Sequence, residues 1–169
     1  MKRQINLIVV LLSSLLMFSC AAGKKNKSAY MQQTFETLKR DLPDATVTIL
    51  DDTIKVLFPE NVMFASSSAE INETFMPKMK TFAGILKRFN KTSILVNGYT
   101  DNTGSHEINA KLSNERAMNA RNALIEYKVK PGRLYAWGHG PNNPIATNNT
   151  AEGKQKNRRV EFLVLYDVD

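Results

Sequence analysis

The chain has 169 residues, 43% of them hydrophobic and 23% charged, with a formal net charge of +7. That length carries one domain with a proper core plus some extra sequence. The single cysteine excludes an internal disulfide. The positive balance favours acidic partners without choosing among nucleic acid, anionic lipid and a polyanionic polymer.

In chain order, Lys2 and Arg3 precede an apolar run from Leu7 to Phe18, broken by Ser13 and Ser14. A basic start followed by about a dozen apolar residues fits a secretory signal; a membrane span needs about 20. The run ends at Cys20 and resembles a bacterial lipoprotein signal, whose lipobox closes on a cysteine. Leu16 and Ser19 suit such a box, while Met17 and Phe18 are bulkier than its usual small residues. The resemblance implies a signal peptide over 1–19 and lipidation at Cys20. Loss of Lys2 and Arg3 then lowers the formal charge from +7 to +5 (7 − 2).

Residues 21–29, AAGKKNKSA, read as a flexible basic tether. Met31, Phe35, Leu38 and Leu42 then recur at steps of four, three and four, one stripe of a helix that Pro43 ends. Its polar face mixes Glu36, Lys39, Arg40 and Asp41, a poor lipid binder, so the stripe is expected to dock on the main domain or on another helix. Residues 20–43 form a tether and amphipathic helix, and 44–169 form the domain.

Within the domain, TVTILDDTIKVLF predicts a β-hairpin turning at Asp51-Asp52. Phe75, Met79, Phe82, Ile85, Leu86 and Phe89 predict a helix with Pro77 in its first turn. SILVNGYT at 93–100 predicts a strand, and Ser105 caps a helix reaching about Tyr127. RLYAWG and RRVEFLVLYDV predict the last two strands, joined by a loop. Trp137 reads as a half-buried strand residue. The fold class is α+β, a mixed sheet with helices packed on one face, preceded by the hairpin and an N-terminal helix.

Asp101 closes the strand at 93–100. Asn109, Ser113 and Arg116 fall at i, i+4 and i+7, a single polar stripe of the following helix. A strand–turn–helix unit brings that stripe back beside Asp101. Taken alone, Asp101 reads first as a turn residue and Arg116 as a solvated helix position. The second reading is a binding pair for a zwitterionic head group. Asp101 would accept from its ammonium and Arg116 would grip its carboxylate. Gly98, Asn102, Thr103 and Gly104 would leave room for backbone contacts.

His106 and His139 are the only histidines, and no metal-ligand spacing, dinucleotide fingerprint or nucleophile–base pair is present. No cofactor and no catalytic chemistry are therefore expected. Lys154, Lys156, Arg158 and Arg159 form the densest basic cluster and read as a rim facing an anionic polymer. The signal peptide argues against nucleic acid as a partner.

The stretch LVNGYTDNTGSHEINAKLSNERAMNARNAL is similar to the OmpA C-terminal-like family. Gly98, Thr100, Asp101, Gly104, Asn109, Leu112, Ser113, Arg116 and Ala117 meet its pattern. Gly138, Gly140, Pro144, Ala146, Asn148, Thr150, Gly153 and NRRVEF at 157–162 meet its distal part, so the likeness runs over about 45–168. The hairpin followed by VMFASSSAEI also resembles the start of the family pattern. Departures are Tyr99 for a usual His, Ala65 for a frequent Asp, Ser67 near a usual Asn, and Lys154 for a common Arg. The resemblance implies a βαβαββ domain that binds peptidoglycan non-covalently through the diaminopimelate of its peptide stem. It implies ligand contacts from Asp101, Arg116, Thr100, Asn102, Thr103, Asn109 and Arg158. With Cys20, it implies a protein held in the outer membrane, its domain facing the periplasm, with other envelope proteins as further partners. The alternatives are a wall-remodelling enzyme and an accessory factor that uses the domain only for localisation.

Overall fold

A computed structural model describes residues 26–65 and 68–167. The signal segment, Cys20, most of the tether and Ser67 lie outside the described residues. Residues 26–41 are helical (α1). β1 (Thr46–Leu50) and β2 (Thr53–Pro59) form the expected antiparallel hairpin, turning at Asp51, whose φ is 52°. A one-turn helix, α2 (Glu60–Met63), and a 3-10 turn (Glu73–Phe75) lead into α3 (Met76–Arg88). Then follow β3 (Thr92–Tyr99), α4 (His106–Glu126), β4 (Leu134–Gly138), α5 (Ala151–Asn157) and β5 (Arg159–Tyr166).

The sheet is five-stranded in the order β1-β2-β5-β3-β4. β3 and β4 are parallel and the other neighbours antiparallel. The last strand is thus threaded into the middle of the sheet. Val56, Phe162 and Val96 stand opposite one another across three strands and are fully buried. Phe58 and Phe82 meet Phe162 at ring centroids of 6.0 and 5.0 Å, both edge-on, the geometry favoured by aromatic quadrupoles. Alternation puts Leu163, Tyr135 and Trp137 on the opposite, open face, where Trp137 is 48% exposed.

The N-terminal stripe docks on this domain. Met31, Leu38 and Leu42 are buried in the same core, and Phe35 is half-buried against it. The Tyr30 ring packs edge-on against Phe89 and Tyr166, and its hydroxyl accepts from the Lys91 N–H at 2.9 Å.

The segment expected as a plain loop before the last strand contains α5. It is short, has Gly153 within it and carries no apolar stripe, so periodicity gives no signal. What starts it is a cap: the Thr150 hydroxyl accepts from the Gly153 N–H at 3.1 Å. Ser105 caps α4 as its sequence indicates, accepting from the Ile108 N–H at 3.2 Å.

The position of α4 depends on two glycines. A Cβ on Gly98 would lie 2.2 Å from the Ser113 carbonyl oxygen, and one on Gly138 would lie 2.3 Å from the Asn114 nitrogen. The helix backbone therefore rests directly on β3 and β4. That close approach turns the Asn109–Ser113–Arg116 stripe inward, and all three residues are buried.

Candidate functional site

β2 and β3 both run antiparallel to β5, so they run in the same direction and end at the same edge of the sheet. Glu60 follows the end of β2 and Asp101 the end of β3. Arg158 precedes β5 and Arg116 reaches in from α4. These four groups line one open cleft of about 1010 Å³, with Phe64, Thr100, Thr103, Asn109 and Lys154 also on its walls.

The loop after β3 is organised by its own side chains. Asp101 Oδ1 accepts from the Thr103 N–H at 2.8 Å, an Asx-type turn. Asn109 donates back to the Thr103 carbonyl at 2.9 Å. The Thr100 N–H donates to the Gly140 carbonyl at 2.8 Å, tying this loop to the one after β4. The Thr100 hydroxyl is buried and has no partner among the described residues.

The charges form a chain. Asp101 Oδ2 accepts from Arg158 Nη1 at 2.6 Å, and Arg158 Nε donates to Glu60 Oε2 at 2.8 Å. Glu60 Oε1 accepts from Arg116 Nη2. Arg116 Nε donates to the Ser68 carbonyl at 2.9 Å, and its guanidinium lies over the Phe64 ring at 5.4 Å. Arg116 is 1% exposed, Asp101 7% and Glu60 8%. The solvated-helix reading of Arg116 is thereby excluded. Burial pushes the Asp101 carboxyl up, but the Arg158 guanidinium and the Thr103 contacts outweigh it and hold it below its ordinary value. Burial lowers the Arg116 pKa against the opposing pull of Glu60. Arg158 is raised, because Asp101 and Glu60 overcome its partial burial.

Asp101 and Arg116 do share the cleft, as the strand–turn–helix argument requires. They do not pair with each other: each is held by a third party, Arg158 or Glu60. Thr100, Thr103, Asn109 and Arg158 line the cleft with them, whereas Asn102 is exposed and does not. The basic cluster read as one rim is divided. Lys154 lines the cleft and reaches Thr103 Oγ1 at 3.2 Å, and Lys156 is exposed away from it. Arg159 is buried on the open-face side of the sheet, paired with Glu161 at 2.8 Å and lying 3.7 Å above the Tyr99 ring. Its neighbour two residues on supplies the carboxylate, so it is no part of a rim. Glu60 was not anticipated. Its only sequence signal is an acidic residue directly after a strand-ending proline, and its meaning depends on the strand order.

The strand ends of this α+β domain thus converge on an alternating chain of carboxylates and guanidinium groups at the edge of an open cleft. The pattern of the OmpA family matches residues 63–158, and the chain belongs to that family. It is 46% identical over 119 residues to the probable lipoprotein YiaD of Escherichia coli, covering 70% of this chain and 54% of that protein. It is 36% identical over 115 residues to the peptidoglycan-binding protein ArfA of Mycobacterium tuberculosis, covering 68% of this chain and 35% of that one. The chain thus spans about half the length of the first relative and about a third of the second. Among solved structures, the cell wall anchor of the T6SS from Pseudomonas aeruginosa superposes with a TM-score of 0.71 at 32% identity, covering 78% of this chain and 96% of that one.

Proposed function

We propose that this chain binds peptidoglycan without covalent chemistry, through the diaminopimelate centre of the peptide stem, and tethers the outer membrane to the wall. Within this reading Asp101 accepts from the ligand ammonium, and Arg116 and Arg158 take its carboxylate. The Thr100 hydroxyl, which has no partner among the described residues, donates to or accepts from the same ligand. Lipidated Cys20 supplies the membrane hold, at roughly 0.8 kcal/mol per buried CH₂ of each acyl chain. No helix of the described residues is long and apolar enough to cross a membrane.

The observation that carries the reading is an anion and a cation, Asp101 and Arg116, buried in one open cleft of an OmpA-family domain. Relatives named for peptidoglycan binding and for cell-wall anchoring support the choice of polymer. The likeness to an anchor of a secretion system also favours a second reading, a module that localises an envelope assembly on the wall.

A pull-down on purified wall sacculi tests the function. Binding that free diaminopimelate competes away is the expected result, and equal retention with and without competitor contradicts the ligand. For the anchor, Cys20→Ser should abolish metabolic labelling with a fatty acid; equal labelling of both proteins would remove lipidation from the proposal.

A further inference from the structure

Glu60 has no place in a two-charge reading of the cleft, yet it is the group both arginines share. Its Oε1 accepts from Arg116 and its Oε2 from Arg158 at 2.8 Å. Its side chain is 10% exposed, against 2% for Arg116 and 32% for Arg158. Two guanidinium groups on one buried carboxylate would otherwise face each other where solvent screens them poorly. Counted together, the inner groups are two carboxylates, Glu60 and Asp101, against two guanidinium groups, Arg116 and Arg158, which sum to zero. At the mouth Lys111 stands 3.9 Å from Glu115, and Lys154 is half-exposed.

We propose that Glu60 is a positioning and specificity-determining residue, which balances the arginine pair so that the cleft selects a ligand centre carrying both an ammonium and a carboxylate over one carrying the carboxylate alone. The proposal rests on the reading of the cleft as a zwitterion site. A zwitterion adds no net charge to a balanced set. A bare carboxylate adds one anion that the inner set does not offset, leaving it only the half-exposed Lys154 at the mouth, and Asp101 repels it. Without the Glu60 charge, the remaining Asp101, Arg116 and Arg158 sum to +1, and the preference turns toward the anion. Glu60 also fixes where the guanidinium groups lie. It joins Nη2 of Arg116 to Nε of Arg158, while the Ser68 carbonyl holds Arg116 Nε at 2.9 Å.

The test uses the full chain and Glu60→Gln. Release from sacculi is measured against diaminopimelate and against pimelate, the same dicarboxylate without its amines. Wild type should be released by diaminopimelate at a concentration at least about tenfold below that of pimelate, since an uncompensated charge in such a site typically costs that much or more. Glu60→Gln should bring the ratio to about one or invert it. A second reading is independent of the wall. Sulfate should raise the Tm of Glu60→Gln more than that of wild type, because the unbalanced arginines then accept an anion. Should Glu60→Gln fail to fold, Glu60→Asp serves: it keeps the charge, so it should keep the preference even where overall binding weakens. A wild-type release ratio in Glu60→Gln with no added sulfate response overturns the proposal, as does loss of preference in folded Glu60→Asp. A wild type that diaminopimelate does not release points to failure of the underlying ligand reading instead, and the sulfate comparison still judges Glu60.

Discussion

The two ends of the sheet each hold an arginine gripped by several acceptors, half-buried Arg133 at one and buried Arg116 at the other, and they use it differently. At the end away from the cleft, Arg133 donates to the carbonyls of Leu86 at 2.9 Å and Phe89 at 3.0 Å, and to the carbonyl and hydroxyl of Thr92 at 2.5 and 2.6 Å. It closes the C-terminal end of α3 onto the start of β3, and every acceptor is neutral. At the cleft end, Arg116 and Arg158 are held by the carboxylates of Glu60 and Asp101 beside open space. Backbone carbonyls at a helix end are fixed acceptors that need the cation permanently. Carboxylates can exchange one cation for another, so the cleft pairs are partners a ligand can replace. An arginine held by several acceptors therefore signals a site only when those acceptors are charged and a cleft reaches them.

The largest expected effect that separates the two ends is on binding. Arg116→Ala should lower the affinity for sacculi about thirty-fold or more, since it removes one of the two cations that meet the ligand carboxylate and leaves Glu60 to Arg158 alone, a loss of roughly 2–5 kcal/mol. Arg133→Ala should leave that affinity unchanged per folded molecule and act on stability. Freeing the acceptors at the end of α3 should cost about 2 kcal/mol, a fall in Tm of roughly 4–8 °C in a thermal melt. A binding defect in Arg133→Ala, or none in Arg116→Ala, would erase the distinction.

A smaller effect follows from Asp101 and pH. Its carboxyl titrates below the ordinary value of 3.8 in the folded protein. A depressed folded pKa means that the ionised group contributes stability above the unfolded pKa and loses it as pH falls through the folded one. The Tm difference between wild type and Asp101→Asn should hold steady from about pH 8 to about pH 5 and shrink below about pH 4. A difference that grows on acidification contradicts the pairing with Arg158. The smallest effect belongs to Lys156→Ala. Lys156 is exposed outside the cleft, so its loss should change affinity by less than about 0.5 kcal/mol, and by more at low salt than at high salt.

How legible each part was depends on sequence distance. Asp101 and Arg116 sit on consecutive elements, so helical spacing and a strand–turn–helix unit suffice to bring them together. The α1 stripe and the hairpin are likewise local patterns. Glu60 contacts Arg116 across 56 positions and Arg158 across 98. Those contacts exist because β5 inserts between β2 and β3, an arrangement no local periodicity encodes. Arg158 reads from the residues alone as one charge of a basic rim, and its role as a ligand contact comes only from the family resemblance, for the same reason. Arg133 reads as the start of a strand, and its acceptors are backbone atoms that leave no trace in residue identity. The rim reading of Arg159 rests on its place beside Arg158 in the sequence, whereas Arg159 begins β5, where alternation sets it with Glu161 and Leu163 on the open face.

The most direct measurement is sacculus affinity for Asp101→Ala, Arg116→Ala and the double variant, each confirmed folded by circular dichroism at the assay temperature. If the two charges grip one ligand, each single change removes most of the binding, and the double variant is little weaker than the weaker single one, because the site is already lost. Sacculus binding at wild-type strength by the folded double variant would contradict the assignment and leave Asp101 and Arg116 as structural charges.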